Sequence, residues 1–264
     1  LLSRRSVRPI WRGVIGGNLT LAGHRQLTGA FSTEALCARI LERHRDVVRV
    51  QKPRVAIANL ARIIEATLKL SNRQGFHATS LRDLSEASGI SMGGLYSCFD
   101  NKTTLLLMIL GEVSATVSEV LGAPPEEVVA SPSAHLRWLV DTHVRLTEAM
   151  QPWFAFAYME AKSFPSNARR MAVDSEAATE EIFADVLRRG VANGDFEISD
   201  ITLTASLIKP LLQDWYVKRA KYRRRNTTIA AYVDAVCAIV EAAVARRRAS
   251  LPGVSLETLG PEWR

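Results

Sequence analysis

Glycines and capping residues divide residues 54–113 into four helices, and this punctuation constrains the fold more than any other feature of the sequence. Apolar side chains recur at helical spacing before the first glycine, which has the position of a C-terminal helix cap. Two shorter helices follow, each preceded by a hydroxyl-bearing residue, and a longer apolar helix comes after them. The residues that begin or end these helices are Gly75, Thr79, Ser80, Gly89, Ser91 and Lys102.

Two short helices joined by a glycine-containing turn and supported by a longer helix before them form a helix-turn-helix, whose second helix lies in the DNA major groove. Residues 54–110 resemble, without a gap, the DNA-binding domain of the TetR/AcrR repressors. Spacing, caps, turn glycine and aromatic positions agree together, which is more specific than a short motif. The resemblance is carried by Ile63, Ile64, Glu65, Ala66, Gly75, Phe76, residues 79–84, Gly89, Ile90, Ser91, Gly94, Leu95, Tyr96, Phe99 and Lys102.

The resemblance implies which side chains contact DNA. The hydroxyl of Tyr96 and the ammonium of Lys102 would bind phosphates. Other residues of the recognition helix would face base edges, where Gly93 allows close approach and Met92 touches a thymine methyl. The alternatives are a Met92 that only fills the surface and a core Tyr96 with a solvated hydroxyl. The predicted DNA contacts are Thr79, Ser80, Arg82, Ser91, Met92, Gly93, Tyr96, Ser97 and Lys102.

The net charge of +7 does not by itself predict nucleic-acid binding, because the nine arginines and three acidic residues of residues 1–49 supply +6 of it. Glycines interrupt any helix over residues 13–29. We therefore predict that residues 1–52 form a basic, disordered leader; a basic DNA-binding arm, a transit peptide and a helix over residues 33–48 are the alternatives. A protein that begins at Val50 is expected to bind DNA with similar affinity.

The remainder of the chain also has a helical pattern. Consecutive prolines at residues 124 and 125 mark a linker. Five further helices are predicted over residues 133–150, 152–162, 165–193, 200–219 and 228–247. The predicted class is all-α, with a helix-turn-helix DNA-binding domain at residues 53–110, a helical effector-binding and dimerisation domain at residues 111–247, and a tail at residues 248–264.

Aromatic and methionine side chains concentrate in two consecutive predicted helices of this second domain. A plain hydrophobic core explains most of them, but a helix that is apolar almost all round is either fully buried or lines a cavity. His143 and Glu160 are the polar residues best placed to orient a ligand, with a core histidine as the alternative for the former. The predicted ligand contacts are Trp138, His143, Trp153, Phe156, Tyr158, Met159 and Glu160.

The last two predicted helices carry a second resemblance. Residues 214–225 and the pair Tyr232-Val233 are similar to the C-terminal segment of a TetR/AcrR subgroup that responds to hydrophobic or acyl-thioester effectors. That subgroup pairs its last two helices across a two-fold axis, and the apolar surface of these helices exceeds what one protomer needs. The resemblance implies a homodimer and a small-molecule effector of that kind. We expect Val233 and Val240 to lie in the dimer interface.

Together these features predict a repressor that binds a palindromic double-stranded operator as a dimer. The apo dimer would hold its two recognition helices about 34 Å apart, so that both enter successive major grooves on one face of the DNA. The effector would release the operator by binding the other conformation more tightly.

Other classes fit the sequence less well. An enzyme is one alternative, but no catalytic triad, paired carboxylates or phosphate-binding glycine loop is recognisable, so we predict no catalytic residues and no cofactor. The three cysteines have no metal-ligand or disulfide spacing, which predicts no metal site and a reducing, cytoplasmic setting. No apolar run approaches the roughly 20 residues of a membrane-spanning helix. A DNA-binding protein without an effector is the second alternative, which the aromatic cluster disfavours.

Overall fold

The computed structural model describes residues 29–245, and the regular secondary structure of this part of the chain is helical apart from one isolated bridge between Phe196 and Ala245. The prediction of an all-α fold is confirmed. The helices are α1 (Thr33–Arg43), α2 (Pro53–Gln74), α3 (Leu81–Ser88), α4 (Met92–Tyr96), α5 (Lys102–Leu121), α6 (Glu126–Val129), α7 (Pro132–Ala149), α8 (Gln151–Met159), α9 (Ser166–Ala192), α10 (Ile201–Val217), α11 (Arg219–Arg224) and α12 (Ile229–Val244).

Helix α1 lies within the segment predicted to be a disordered leader, so that prediction is wrong for residues 29–50; residues 1–28 lie outside the described residues. The hydroxyl of Ser32 caps α1 by accepting a hydrogen bond from the Ala35 N–H. The apolar stripe of α1 packs against α2 and α5 and is fully buried. The helix forms because the glycines that would interrupt it all precede residue 30. Its apolar side chains are also stabilised by packing against the core.

The helix-turn-helix comprises α3 and α4, with α2 packed behind α3. Ser80 and Asp83 form a capping box at the start of α3, in which the Ser80 hydroxyl accepts from the Asp83 N–H and the Asp83 carboxylate accepts from the Ser80 N–H. The turn requires Gly89, whose φ of 64° lies in the left-handed region. Ile90 is buried beneath the turn. The caps predicted from the sequence therefore fix the angle between the two helices.

Helix α5 connects this domain to a bundle formed by α7, α8, α9, α10 and α12. It contacts α1 and α8 and packs against α7 and α9. By length and composition alone α5 could cross a membrane, but most of its apolar side chains are buried in this core. It is accordingly the helix that both domains share.

Some helix bounds differ from the prediction. Helix α8 ends at Met159 and is followed by a 3₁₀ turn (Ala161–Ser163), where one helix to residue 162 was expected. The short helices α6 and α11 were not predicted. The last predicted helix ran to residue 247, and its final two residues lie outside the described range.

Candidate DNA-binding and effector sites

One face of the recognition helix α4 is exposed. The Ser91 hydroxyl caps the helix through the Gly94 N–H, and Leu95 anchors its inner side in the core. Met92 and Tyr96 are 37% and 43% exposed. A Cβ added to Gly93 would meet no described atom within 4 Å. The face formed by these three residues can approach another macromolecule closely.

Lys102 is anchored to the protein rather than extended into solvent. Its ammonium donates hydrogen bonds to the carbonyl oxygens of His77 and Thr79, at 3.0 and 2.6 Å, and lies 4.5 Å from the centre of the Phe76 ring. Burial lowers the pKa of Lys102. An ammonium has three N–H donors, so one remains for a phosphate oxygen. Lys102 therefore also holds the loop before α3, a role that the sequence did not suggest.

The other predicted DNA contacts differ in exposure. Thr79 is 1% exposed and its hydroxyl donates to the Gly75 carbonyl, so the prediction of a direct DNA contact through its side chain is wrong. Ser80 and Arg82 are exposed at the N-terminal end of α3. Ser91 is exposed, and the half-buried Ser97 hydroxyl donates to the carbonyl of residue 94. Of the predicted contacts on α3 and α4 and at their ends, all but Thr79 are thus at least partly exposed.

Arg49 also reaches the recognition helix, although the sequence analysis placed it in the leader. Its backbone N–H donates to the Ser97 carbonyl at 2.8 Å, and its guanidinium donates to the Tyr96 carbonyl at 3.2 Å and pairs with Asp100. The last carbonyl groups of a helix have no N–H partner within that helix. Arg49 supplies the missing hydrogen-bond donors to the carbonyls of Tyr96 and Ser97. A protein beginning at Val50 would lose these contacts, which argues against the expectation that its DNA affinity is unchanged.

A cavity of about 500 Å³ lies between α5, α8, α9 and α10. Its apolar lining includes Leu110, Val113 and Val117 of α5 and Phe154 of α8. Most of its polar lining comes from residues that the sequence did not single out. These include Lys162 and Arg169, which are exposed, Glu176 of α9, and Lys209, Gln213 and Tyr216 of α10.

Two of the predicted ligand residues, Tyr158 and Met159, line this cavity. Trp138 and His143 do not line it. His143 is fully buried, and burial followed by the neighbouring Lys209 lowers its pKa well below the ordinary value. The imidazole is therefore neutral, and its Nε2 lies 3.3 Å from the Lys209 Nζ. The predicted role of His143 as a ligand contact is wrong in this structure, but the histidine supports a residue that does line the cavity.

The remaining predicted ligand residues, Trp153, Phe156 and Glu160, line a separate groove between α8 and α2. The Glu160 carboxylate accepts a hydrogen bond of 2.7 Å from the Phe76 N–H, and the Phe76 ring meets the Phe156 ring edge to face with centroids 5.5 Å apart. Phe164 completes this aromatic cluster. Glu160 was predicted to orient a ligand, but in this structure it bonds the C-terminal domain to the DNA-binding domain.

Lys209 is the most deeply buried charge on the cavity wall. Burial lowers its pKa to about 8, against the opposing effect of Glu176 and Glu180. Those two carboxylates are engaged elsewhere, since Glu176 accepts from the Gln213 amide at 2.6 Å and Glu180 accepts from the Ser206 hydroxyl at 2.8 Å. Lys209 is thus a buried basic group on the cavity wall without a directly bonded carboxylate.

The predicted dimer residues Val233 and Val240 are buried inside one protomer, where α12 packs against α7, so their assignment to the interface is wrong. A different set of apolar side chains on α10 and α12 is exposed. Leu203, Leu207 and Ile239 are 55%, 62% and 54% exposed. We call Leu203, Leu207, Ala231, Ala235, Ile239 and Ala242 the outer apolar face, because all of them are exposed.

Comparison with known proteins matches both halves of the chain. Residues 63–109 match the family described as bacterial regulatory proteins, tetR family, and residues 129–219 match the tetracyclin repressor-like C-terminal domain. The HTH-type transcriptional repressor KstR2 of Rhodococcus jostii is 32% identical over 144 residues, which are 53% of this chain and 68% of KstR2.

Two solved structures share the fold. The TetR family regulator PfmR of Thermus thermophilus is 26% identical with a TM-score of 0.54, over 69% of this chain and 97% of PfmR. FadR of Bacillus subtilis in complex with stearoyl-CoA is 15% identical with a TM-score of 0.53, over 69% of this chain and 97% of FadR. The chain therefore belongs to the TetR family of bacterial transcriptional regulators.

Proposed function

We propose that this protein represses transcription as a homodimer that binds a palindromic operator and releases it when a small hydrophobic or acyl-thioester-like molecule occupies the cavity between α5, α8, α9 and α10. The observation that carries the proposal is the combination of an exposed recognition face on α4 with an apolar cavity of about 500 Å³ in the same chain. A constitutive DNA-binding protein has no need of such a cavity.

On the DNA side, the exposed residues divide by chemistry. Tyr96 has a hydroxyl at the edge of the recognition face, and Lys102 keeps one N–H donor, so both suit phosphate oxygens. Met92 and Gly93 suit base edges, because an apolar side chain and a bare backbone can meet thymine methyl groups. We propose that the first pair supplies affinity for any sequence and that the second pair, with Ser91 and Ser97, supplies discrimination.

On the effector side, the cavity is apolar along α5 and carries exposed cations, Lys162 and Arg169, at its edge. An acyl chain fits the apolar part, and phosphate groups of a thioester carrier would meet the cations. The FadR structure, which shares this fold, contains stearoyl-CoA. This supports the same class of effector for the present protein.

The two sites are joined by α8. One side of α8 lines the cavity through Phe154 and Tyr158, and the other side holds the DNA-binding domain through Phe156 and Glu160. Phe156 and Glu160 both contact Phe76, and the Phe76 ring lies beneath the Lys102 ammonium. A ligand that displaces α8 would therefore move the loop before α3, and it releases DNA to the extent that it binds the displaced conformation more tightly.

The outer apolar face supports the homodimer. A row of exposed leucine, isoleucine and alanine side chains on two adjacent helices is the kind of patch that a second copy covers by two-fold symmetry. Two recognition helices are also needed to bind a palindrome.

The test is fluorescence anisotropy with a labelled fragment of the promoter next to the gene and a scrambled fragment, over a range of salt concentrations. Tyr96→Phe should weaken binding to both fragments in parallel, whereas Gly93→Val should reduce the preference for the promoter about tenfold. Lys162→Ala, at the cavity edge, is the matched control and should leave DNA binding unchanged. At least one of stearate and stearoyl-CoA should release the promoter, and free coenzyme A should not. Promoter binding no tighter than binding to the scrambled fragment would refute the proposal.

A further inference from the structure

We propose that the effector carries a carboxylate, and that Lys209 binds this group inside the cavity. The inference deepens the proposed function, since it rests on the same cavity being the effector site. Two sources of the group are possible: the head of a free carboxylic acid, or the free end of a dicarboxylic acyl thioester. Both present the same chemistry to Lys209.

The first argument is the state of the Lys209 donors. Among the described residues, its one hydrogen-bond partner is the neutral His143, whose Nε2 lies 3.3 Å away. An ammonium has three N–H donors. Lys209 is 8% exposed and lines the cavity, so little open solvent reaches its remaining donors. A buried charged donor without an acceptor is costly, and an acceptor supplied by a ligand removes that cost.

The second argument is that the neighbouring carboxylates do not neutralise Lys209. Glu176 and Glu180 are near enough to oppose the fall of its pKa, but they bond to Gln213 and Ser206 and form no ion pair with Lys209. A ligand carboxylate would therefore be the direct counter-ion of this ammonium. A neutral acceptor such as an alcohol would supply one oxygen without the charge, which makes a weaker hydrogen bond.

The third argument concerns the placement of the other cations of the cavity. Lys162 and Arg169 are exposed, and an ion pair with an exposed cation adds little affinity because water and salt screen it. Lys209 is only 8% exposed, so the same pair is screened much less. The buried cation, not the exposed ones, should therefore decide between an acid and a neutral molecule of the same length.

The experiment measures ligand binding by calorimetry on the full-length protein without DNA. The probes are decanoate against decanol, and the thioester of decanedioic acid against decanoyl-CoA. We expect at least one carboxylate-bearing probe to bind tenfold or more tightly than its neutral partner. In Lys209→Met this preference should be lost, with the neutral probe bound as before. Lys162→Met, the control for an exposed cation, should change the preference less than threefold.

Equal binding of both members of each pair, or binding of none of the probes, would overturn the proposal. A preference that persists in Lys209→Met would also overturn it. The comparison within each pair uses the wild-type protein, so a Lys209→Met variant that fails to fold does not prevent the test. Promoter release is measured separately: probes that bind without releasing DNA would refute the proposed function, whereas release by acids and alcohols alike would refute the role of Lys209 alone.

Discussion

Removing the two arginines that join α1 to α5 should destabilise the protein far more than an ordinary surface change. The Glu112 side chain on α5 is 0% exposed and pairs with Arg39, whose Nε lies 2.6 Å from its Oε1, and with Arg43. Thr116 donates the other hydrogen bond to this carboxylate, at 3.1 Å. Arg39→Ala with Arg43→Ala would leave Glu112 buried without a counter-ion.

The expected cost is about 3–5 kcal/mol, the usual range for breaking a buried ion pair by removing one partner. The pairs that the same arginines make with Glu119 add at most about 1 kcal/mol, because that carboxylate is partly exposed. Burial already raises the pKa of Glu112 despite the two guanidinium groups. Without them the carboxyl is protonated more readily, so the loss of stability should be larger at pH 8 than at pH 6.

The assay is urea unfolding followed by far-ultraviolet circular dichroism, with all variants at one protein concentration because the stability of the proposed dimer would depend on it. Adding Glu112→Gln to the double variant should recover much of the loss, since it removes the unpaired charge and keeps the shape. Arg188→Ala is the matched control, because Arg188 bridges two exposed carboxylates on α9, and it should change the free energy of unfolding little. A double variant that loses less than 1 kcal/mol, or that Glu112→Gln does not rescue, would refute this reasoning.

Three further predictions concern the interface, the coupling and the pH dependence. Leu207→Asp should give folded monomers in sedimentation velocity, whereas Val233→Asp should unfold the protein; a Leu207→Asp dimer would contradict the outer apolar face. Glu160→Ala should weaken effector-induced release of DNA at least threefold in anisotropy titrations with little change in effector affinity, and unchanged release would argue against coupling through α8. Burial, and to a lesser extent Arg189, lowers the pKa of His135 to about 4, so the folded state favours the neutral ring. The free energy of unfolding should therefore fall by up to about 3 kcal/mol as the pH drops from 6.5 towards 4. His135→Gln should flatten this decline in thermal melts, and an equally steep decline would rule His135 out as its source.

The sequence was most informative where structure depends on neighbours along the chain. The Ser80–Asp83 capping box and the turn at Gly89 are set within one or two helical turns, so their residue types alone indicate the helix-turn-helix. Apolar periodicity also predicted the long helices. It could not say what covers an apolar face, and so Val233 was assigned to a second protomer when α7 of the same protomer covers it.

The candidate sites depended on contacts between distant residues, which the sequence pattern does not contain. A lysine is ordinarily exposed, and only the packing of α10 against α7 brings Lys209 to His143, 66 positions earlier in the chain. Glu160 has the composition of a ligand contact, yet it bonds to a backbone N–H 84 positions before it. Arg49 lay in a stretch with many arginines and glycines, where no local feature separates a structural arginine from a solvated one.

The open space around Gly93 has a consequence for how operator preference can evolve. A side chain added there would meet no described atom within 4 Å, and replacing glycine in a helix by alanine usually gains about 0.5–1 kcal/mol of stability. If Gly93 meets the operator as proposed, substitutions at this position would place new chemistry against the bases without a folding penalty. Duplicated genes for such a regulator could therefore diverge in operator preference by a substitution at this one position. The same position is a suitable first choice for engineering repressors that do not bind one another's operators.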